Sequence, residues 1–227
     1  GTSWNSGGTN LPSYISPNSL GGDAGYDGGW GFGPVRPEAY DMFENGDQRR
    51  DASIRDLRGD GTGGNVGDKN TTVWGASYVL RFQDTGLWLG KYCARTGYHK
   101  PTGTGDLNWS NNLRIFRYAE TLLAYAELTL TTGDVDGVSG ADCLNQVRDR
   151  AFRDQNHRVP LTLENIQKEN HLEFVGEGHR YYDIVRWGIT NVLHVDNVPG
   201  LNTSRDWKET NKYVAIPQAE IDATKRS

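Results

Sequence analysis

Apolar residues return every three or four positions through NNLRIFRYAETLLAYAELTLTTGD, at Leu113, Phe116, Ala119, Leu122, Leu123, Ala126 and Leu130. That spacing predicts one helix with a single apolar face, closed by Gly133. ADCLNQVRDRAFR, residues 141–153, repeats the pattern with Leu144, Val147 and Ala151, and Thr162 is placed to cap a third helix beginning LENIQ. Short connections between the three point to an antiparallel helical pack. In HLEFVGEGHRYYDIVRWG the rhythm continues until Gly176 and Gly178 let the chain turn, and Tyr181, Ile184 and Val185 form the stripe of a further short helix.

From residue 1 to about 110 the pattern differs. Gly, Asn, Asp, Ser and Thr dominate, which predicts loops and short strands. Pro37 to Glu44 reads as a short helix begun by proline, and Trp74 to Phe82 as an alternating strand.

Composition sharpens the contrast. The 227 residues include seven tryptophans, eleven tyrosines and twenty-nine glycines, so many aromatic rings stand outside a repeating helical core face. A formal charge of −5 with no long cationic run argues against a nucleic-acid partner. No stretch approaches the roughly twenty apolar residues of a membrane span. The chain opens GTSWNSGG, without Met or a signal core, and reads as part of a longer polypeptide. Cys93 and Cys143 cannot build a four-thiolate site; two separate buried thiols or one disulfide remain open.

His171, Glu173, Glu177 and His179 raise the question of a metal, but neither HExxH nor a zinc deaminase pattern is present. No metal or other cofactor is expected. With Arg180, Asp183 and Arg186 these charges read as a network of salt bridges and hydrogen bonds, because an unpaired ion away from water costs several kcal/mol. Glu173 and Glu177 could serve as a glycosidase pair; four apart on one helix, they suit an ion-pair ladder better than two groups gripping a sugar. Asp23, Asp27, Asp60 and Asp68 offer other carboxylates from the loop half. GDGTGG, residues 59–64, spells GxGxxG without the strand and helix that a dinucleotide needs. GDVDG, residues 133–137, lacks the remaining oxygen ligands of a calcium loop.

Recognition then falls to aromatic rings in polar loops. A flat ring can lie against the apolar face of a sugar while nearby amides bind its hydroxyls. Trp4, Tyr26, Trp30 and Trp74, with Asn10 as a polar contact, are the candidate ligand-binding residues.

RYAETLLAYAE (117–127), LNQVRDRA (144–151), EFVGEGHRYYDIVRWG (173–188) and YVAIPQAEID (213–222), in that order, resemble the SusD/RagB family of nutrient-binding outer-membrane lipoproteins. GGWGFGPVRPEAYDMFENGDQRRDASI (28–54) is similar to the family's loop and helix before its DPRR-like motif. Gln48 stands where that motif usually has proline, and ENH at 169–171 replaces a more usual acidic and arginine run, leaving the partners of Glu169 open.

The resemblance implies a mainly α, SusD-like helical fold with long irregular loops and a few short strands, whose tetratricopeptide-like amino-terminal part is largely absent from this chain. Residues 1–110 would be its loop-rich, ligand-facing region and 111–227 the helical carboxyl-terminal region of the same domain. It further implies a noncatalytic, lipid-anchored protein on the surface of a Gram-negative outer membrane. Such a protein binds glycan and delivers it to a TonB-dependent, SusC-like transporter. A peptide-binding member of the family and a surface glycoside hydrolase are the alternative expectations.

Overall fold

Proline opens the first two short helices of the first half. In the computed structural model, which describes residues 8–18, 20, 25–58, 69–71, 77–79, 84–99, 103–198 and 203–225, α1 (Leu11–Ile15) and α2 (Pro37–Asp41) each carry proline in the first two helical positions. A missing N–H costs nothing there. α3 (Arg49–Ser53) runs straight into β1 (Ile54–Asp56). β2 (Lys69–Thr71) and β3 (Ser77–Val79) form an antiparallel pair, as do β1 and β4 (Leu87–Leu89), with Ile54 opposite Leu89. Of the strand expected over 74–82, only β3 lies within the described residues.

Three longer helices follow. α4 (Tyr118–Thr132) ends at Gly133, whose φ of 71° is readily available only without a side chain. In α5 (Gly140–Phe152) the Ser139 hydroxyl accepts from the backbone N–H of Asp142 at 3.2 Å. In α6 (Leu163–Glu173) the Thr162 hydroxyl accepts from Asn165 at 3.2 Å, as its position predicts. Their apolar faces meet in one cluster of Ala119, Leu122, Leu123, Ala126, Cys143, Leu144, Val147, Ile166 and Phe174. Leu172 of α6 faces a second cluster with Val35, Phe43, Ile54 and Leu87, which fastens the β1–β4 pair to the helices. Both cysteines are free and buried, and the Cys93 thiol donates to the Gly90 carbonyl at 3.0 Å.

The first helix is shorter than its apolar periodicity suggests. Leu113 and Phe116 precede the helix, in a segment without regular structure, and are 62% and 65% exposed, so they do not join the face formed by Ala119, Leu122, Leu123 and Ala126. Arg117 is itself extended, with φ −136° and ψ 152°, and its guanidinium is drawn onto Glu173 and Glu177, so the helix starts only after it. Leu130 also points outward, 39% exposed.

The chain divides into two compact units, residues 1–180 and 181–227. The second contains most of α7 (Arg180–Trp187), the antiparallel pair β5 (Val195–Val198) and β6 (Thr203–Arg205), and α8 (Gln218–Thr224). Of the stripe predicted for α7, Ile184 is buried, Val185 is half-buried and Tyr181 is exposed. The Tyr181 hydroxyl instead donates to the Asn211 carbonyl. Among the described residues no helix is long and apolar enough to cross a membrane.

Candidate functional site

The charged block that the sequence places around residues 169–179 is a closed ion network. Glu169 and Glu173 are only 1% and 3% exposed. Arg49 donates to Glu169 at 2.5 Å and to both carboxylate oxygens of Asp47 at 2.9 and 2.7 Å. Arg148 takes the other oxygen of Glu169 at 2.9 Å. Glu169 thus holds two arginines from α3 and α5, which answers the question left by the altered motif. Arg117 grips Glu177 through two nitrogens, each at 2.8 Å, and Glu173 at 2.7 Å. Lys91 adds a bond to Glu177 at 2.6 Å, and Arg150 one to Glu173.

Burial pushes the Glu173 and Glu177 carboxyls up, but hydrogen bonds from Arg150, Arg117 and Lys91 outweigh it and hold both below the usual range. Neither is poised to donate a proton at neutral pH. His179 stacks on Phe174 with ring centroids 4.5 Å apart, and burial together with Arg180 lowers His171 to about 4. These side chains tie α3, α5, α6 and the loop around Lys91 together.

The aromatic rings divide into anchors and exposed surfaces. Trp88 and Trp109 are 2% and 1% exposed, and the Trp109 indole donates to the Ser13 hydroxyl at 2.8 Å. Trp30 is half-buried beneath Tyr14, edge to face at 4.7 Å, and Tyr14 also meets Phe32 at 5.9 Å. Phe32 is 61% and Tyr14 41% exposed. The backbone fixes this group: Gly29, Trp30, Gly31 and Phe32 donate to the carbonyls of Pro17, Ser13, Ser16 and Tyr14. Gly29 is obligatory in that approach, since a Cβ there would fall 2.4 Å from the Ser13 carbonyl. Asn10, exposed at the start of α1, lies one helical turn from Tyr14, and its side chain makes no capping bond.

Of the rings chosen from sequence, Trp30 therefore joins an exposed cluster near Asn10. Tyr26 is engaged differently: the Arg55 guanidinium lies over its ring at 3.8 Å and that of Arg95 at 5.5 Å. Trp4 and Trp74 lie outside the described residues. Sequence reasoning missed the partnership of Tyr14 and Phe32 with Trp30. The rings meet because Trp30 and Phe32 flank Gly31, whose φ of 78° no pattern of apolar and polar positions announces, and because both pair through the backbone with the Ser13–Tyr14 segment. It also missed a cleft of about 600 Å³ whose lining includes Lys91, Tyr92, Arg95, Tyr98, Asn112 and Arg114.

The model of the SusD family matches residues 1–226. The chain belongs to the SusD family. This SusD-like chain is 49% identical to surface glycan-binding protein A from Bacteroides fluxus, with a TM-score of 0.81 over 97% of this chain and 44% of that one. It is 42% identical to surface glycan-binding protein A from Bacteroides thetaiotaomicron in complex with laminarihexaose, with a TM-score of 0.79 over 97% of this chain and 46% of that one. SusD-like protein P25 of Formosa agariphila is 37% identical over 89 residues, 36% of this chain and 16% of that protein. The chain spans less than half the length of the two solved structures. The mainly helical, SusD-like fold expected from the sequence is the one observed.

Proposed function

We propose that the chain is part of a cell-surface protein that captures glycan without breaking it. The carrying observation is its match, over 97% of its length, to a surface glycan-binding protein solved with laminarihexaose. The geometry agrees. Tyr14, Trp30 and Phe32 present aromatic area on a hydrogen-bonded frame, with the Asn10 amide nearby for sugar hydroxyls. The best-placed carboxylates, Glu173 and Glu177, are neutralised by cations and suit a structural role better than hydrolysis. Residues 1–110 form the ligand-facing part in this reading, with Trp4 and Trp74 as further candidate contacts, while the Tyr26 ring lies under Arg55 and Arg95. Family membership further supports lipid anchoring at an outer membrane and delivery to a SusC-like, TonB-dependent transporter.

The test is calorimetry of the complete protein with laminarihexaose and a wider oligosaccharide panel. Replacing Tyr14, Trp30 and Phe32 by Ala should weaken the bound glycan by about tenfold or more with the thermal midpoint retained, since each stacked ring contributes roughly 0.5–1.5 kcal/mol. Unchanged affinity in a folded variant removes this platform. Binding of mixed oligopeptides in place of every glycan tried would favour the peptide-binding alternative, and release of reducing sugar would favour the hydrolase.

A further inference from the structure

The cleft at Lys91–Arg114 has a chemistry of its own. Its lining brings together Lys91, Arg95 and Arg114 and, among the described residues, includes no carboxylate, although Glu177 reaches Lys91 from beside it. That is unexpected in a chain of net charge −5. Elsewhere guanidiniums such as Arg49, Arg58, Arg117 and Arg148 are answered by carboxylates within 3.3 Å. Arg95 and Arg114 make no ion pair among the described residues. Each instead lies over a tyrosine ring, Arg95 at 5.5 Å from Tyr26 and Arg114 at 5.6 Å from Tyr92. A ring under a guanidinium orients it and leaves its N–H edge available for an oxyanion.

We infer that this cleft binds an acidic sugar, its carboxylate or sulfate oxygens held by the forks of Arg95 and Arg114. Lys91 cannot be the main anchor, because Glu177 and the Glu173 carbonyl already take its ammonium at 2.6 and 2.7 Å. A sugar fits better than a bare anion for two reasons. The volume of about 600 Å³ falls in the range of roughly 300–1,000 Å³ typical of small-molecule sites. The walls also offer hydroxyl partners and a ring: Ser110 and Asn112 are exposed, and Tyr98 is 48% exposed. The Ser110 backbone donates to the Tyr98 carbonyl at 2.8 Å, which holds those two walls in register. The inference rests on the reading of the protein as a glycan binder and names the chemistry of a subsite apart from the Tyr14–Trp30–Phe32 cluster.

The test uses the complete protein and paired probes that differ only in charge: trigalacturonate against its methyl ester, and a sulfated galactan tetrasaccharide against its desulfated form. At least one acidic probe should bind about tenfold or more tighter than its neutral counterpart, as charge-assisted bidentate contacts to arginine require. An R95Q/R114Q variant should lose that tenfold advantage while laminarihexaose affinity changes less than about twofold. Whichever pair shows the advantage identifies carboxylate or sulfate as the recognised group. If the double variant does not fold, R114Q alone is read in the same way. The inference fails if neither pair shows a preference, if the folded variant keeps it, or if inorganic sulfate or tetraglutamate binds as tightly as the acidic sugars. Acidic binding without laminarihexaose binding would remove the neutral-glucan platform and leave this subsite standing; absence of all sugar binding would remove both.

Discussion

With its side chain 9% exposed, Arg49 meets Asp47, Glu169 and Glu173. Burial opposes its charge, yet hydrogen bonds to Asp47 and the field of Glu169 more than compensate and raise its pKa. Removing one partner from such a cluster is costlier than never having built it, because the remaining ions stay out of water. Arg49→Met should therefore destabilise the fold by about 3 kcal/mol, read from the denaturant midpoint, with Asp47 left most exposed to the loss. Arg36→Ala, which breaks a pair whose side chains are 54% and 69% exposed, should stay within about 0.5 kcal/mol. His171 gives a pH signature. Its folded pKa is lowered from 6.5 to about 4, so the unfolded chain binds the extra proton and stability falls as pH drops through that window. In His171→Gln the slope of stability against pH between those values should flatten.

At the scale of elements, α4 and α5 approach closely where Gly140 meets Thr129. A Cβ on Gly140 would fall 1.8 Å from the Thr129 hydroxyl oxygen and 2.8 Å from its Cβ. Gly140→Ala should cost about 2 kcal/mol, and adding Thr129→Ala should recover only part, since the second contact remains; a double-mutant cycle by chemical unfolding checks both. The same helices show what sequence can convey. Ala119, Leu122, Leu123 and Ala126 were legible because they lie at helical spacing and bury together. Leu113 and Phe116 keep that spacing ahead of the helix, outside any regular element, so period alone cannot say where a helix starts. The start is set by Arg117, whose partners Glu173 and Glu177 are far along the chain. Ring contacts had the same limit. Trp30 was visible as an aromatic residue in a polar loop, but its partner Tyr14 lies across a backbone pairing that no local pattern announces. Arg95 and Arg114, nineteen positions apart by their numbering, form no run that a linear reading would find.

For the molecule as a whole, several lowered carboxyl pKa values act in one direction. Glu44, Glu173 and Glu177 are all held below 4.5 by arginine or lysine partners against the opposing effect of burial. A depressed folded pKa means stability that is present above the unfolded value and lost as pH falls through the folded one. Acid should therefore unfold the protein below about pH 4, continuing the loss that His171 begins at higher pH. Arg117→Gln should move the acid midpoint upward, as followed by circular dichroism. Electrostatic cement of this kind predicts a protein that tolerates neutral salt, because buried pairs are weakly screened, yet yields to protons.

The burial of the thiols has a practical corollary. Cys93 is fully enclosed and Cys143 sits at 9% exposure, where desolvation together with Asp142 and Asp134 also disfavours its thiolate. A thiol-specific chromophore added to the native protein can react only as the structure breathes. The two labelling rates would then act as clocks, Cys143 timing small excursions near the surface and Cys93 timing the deeper opening that exposes the β4 flank.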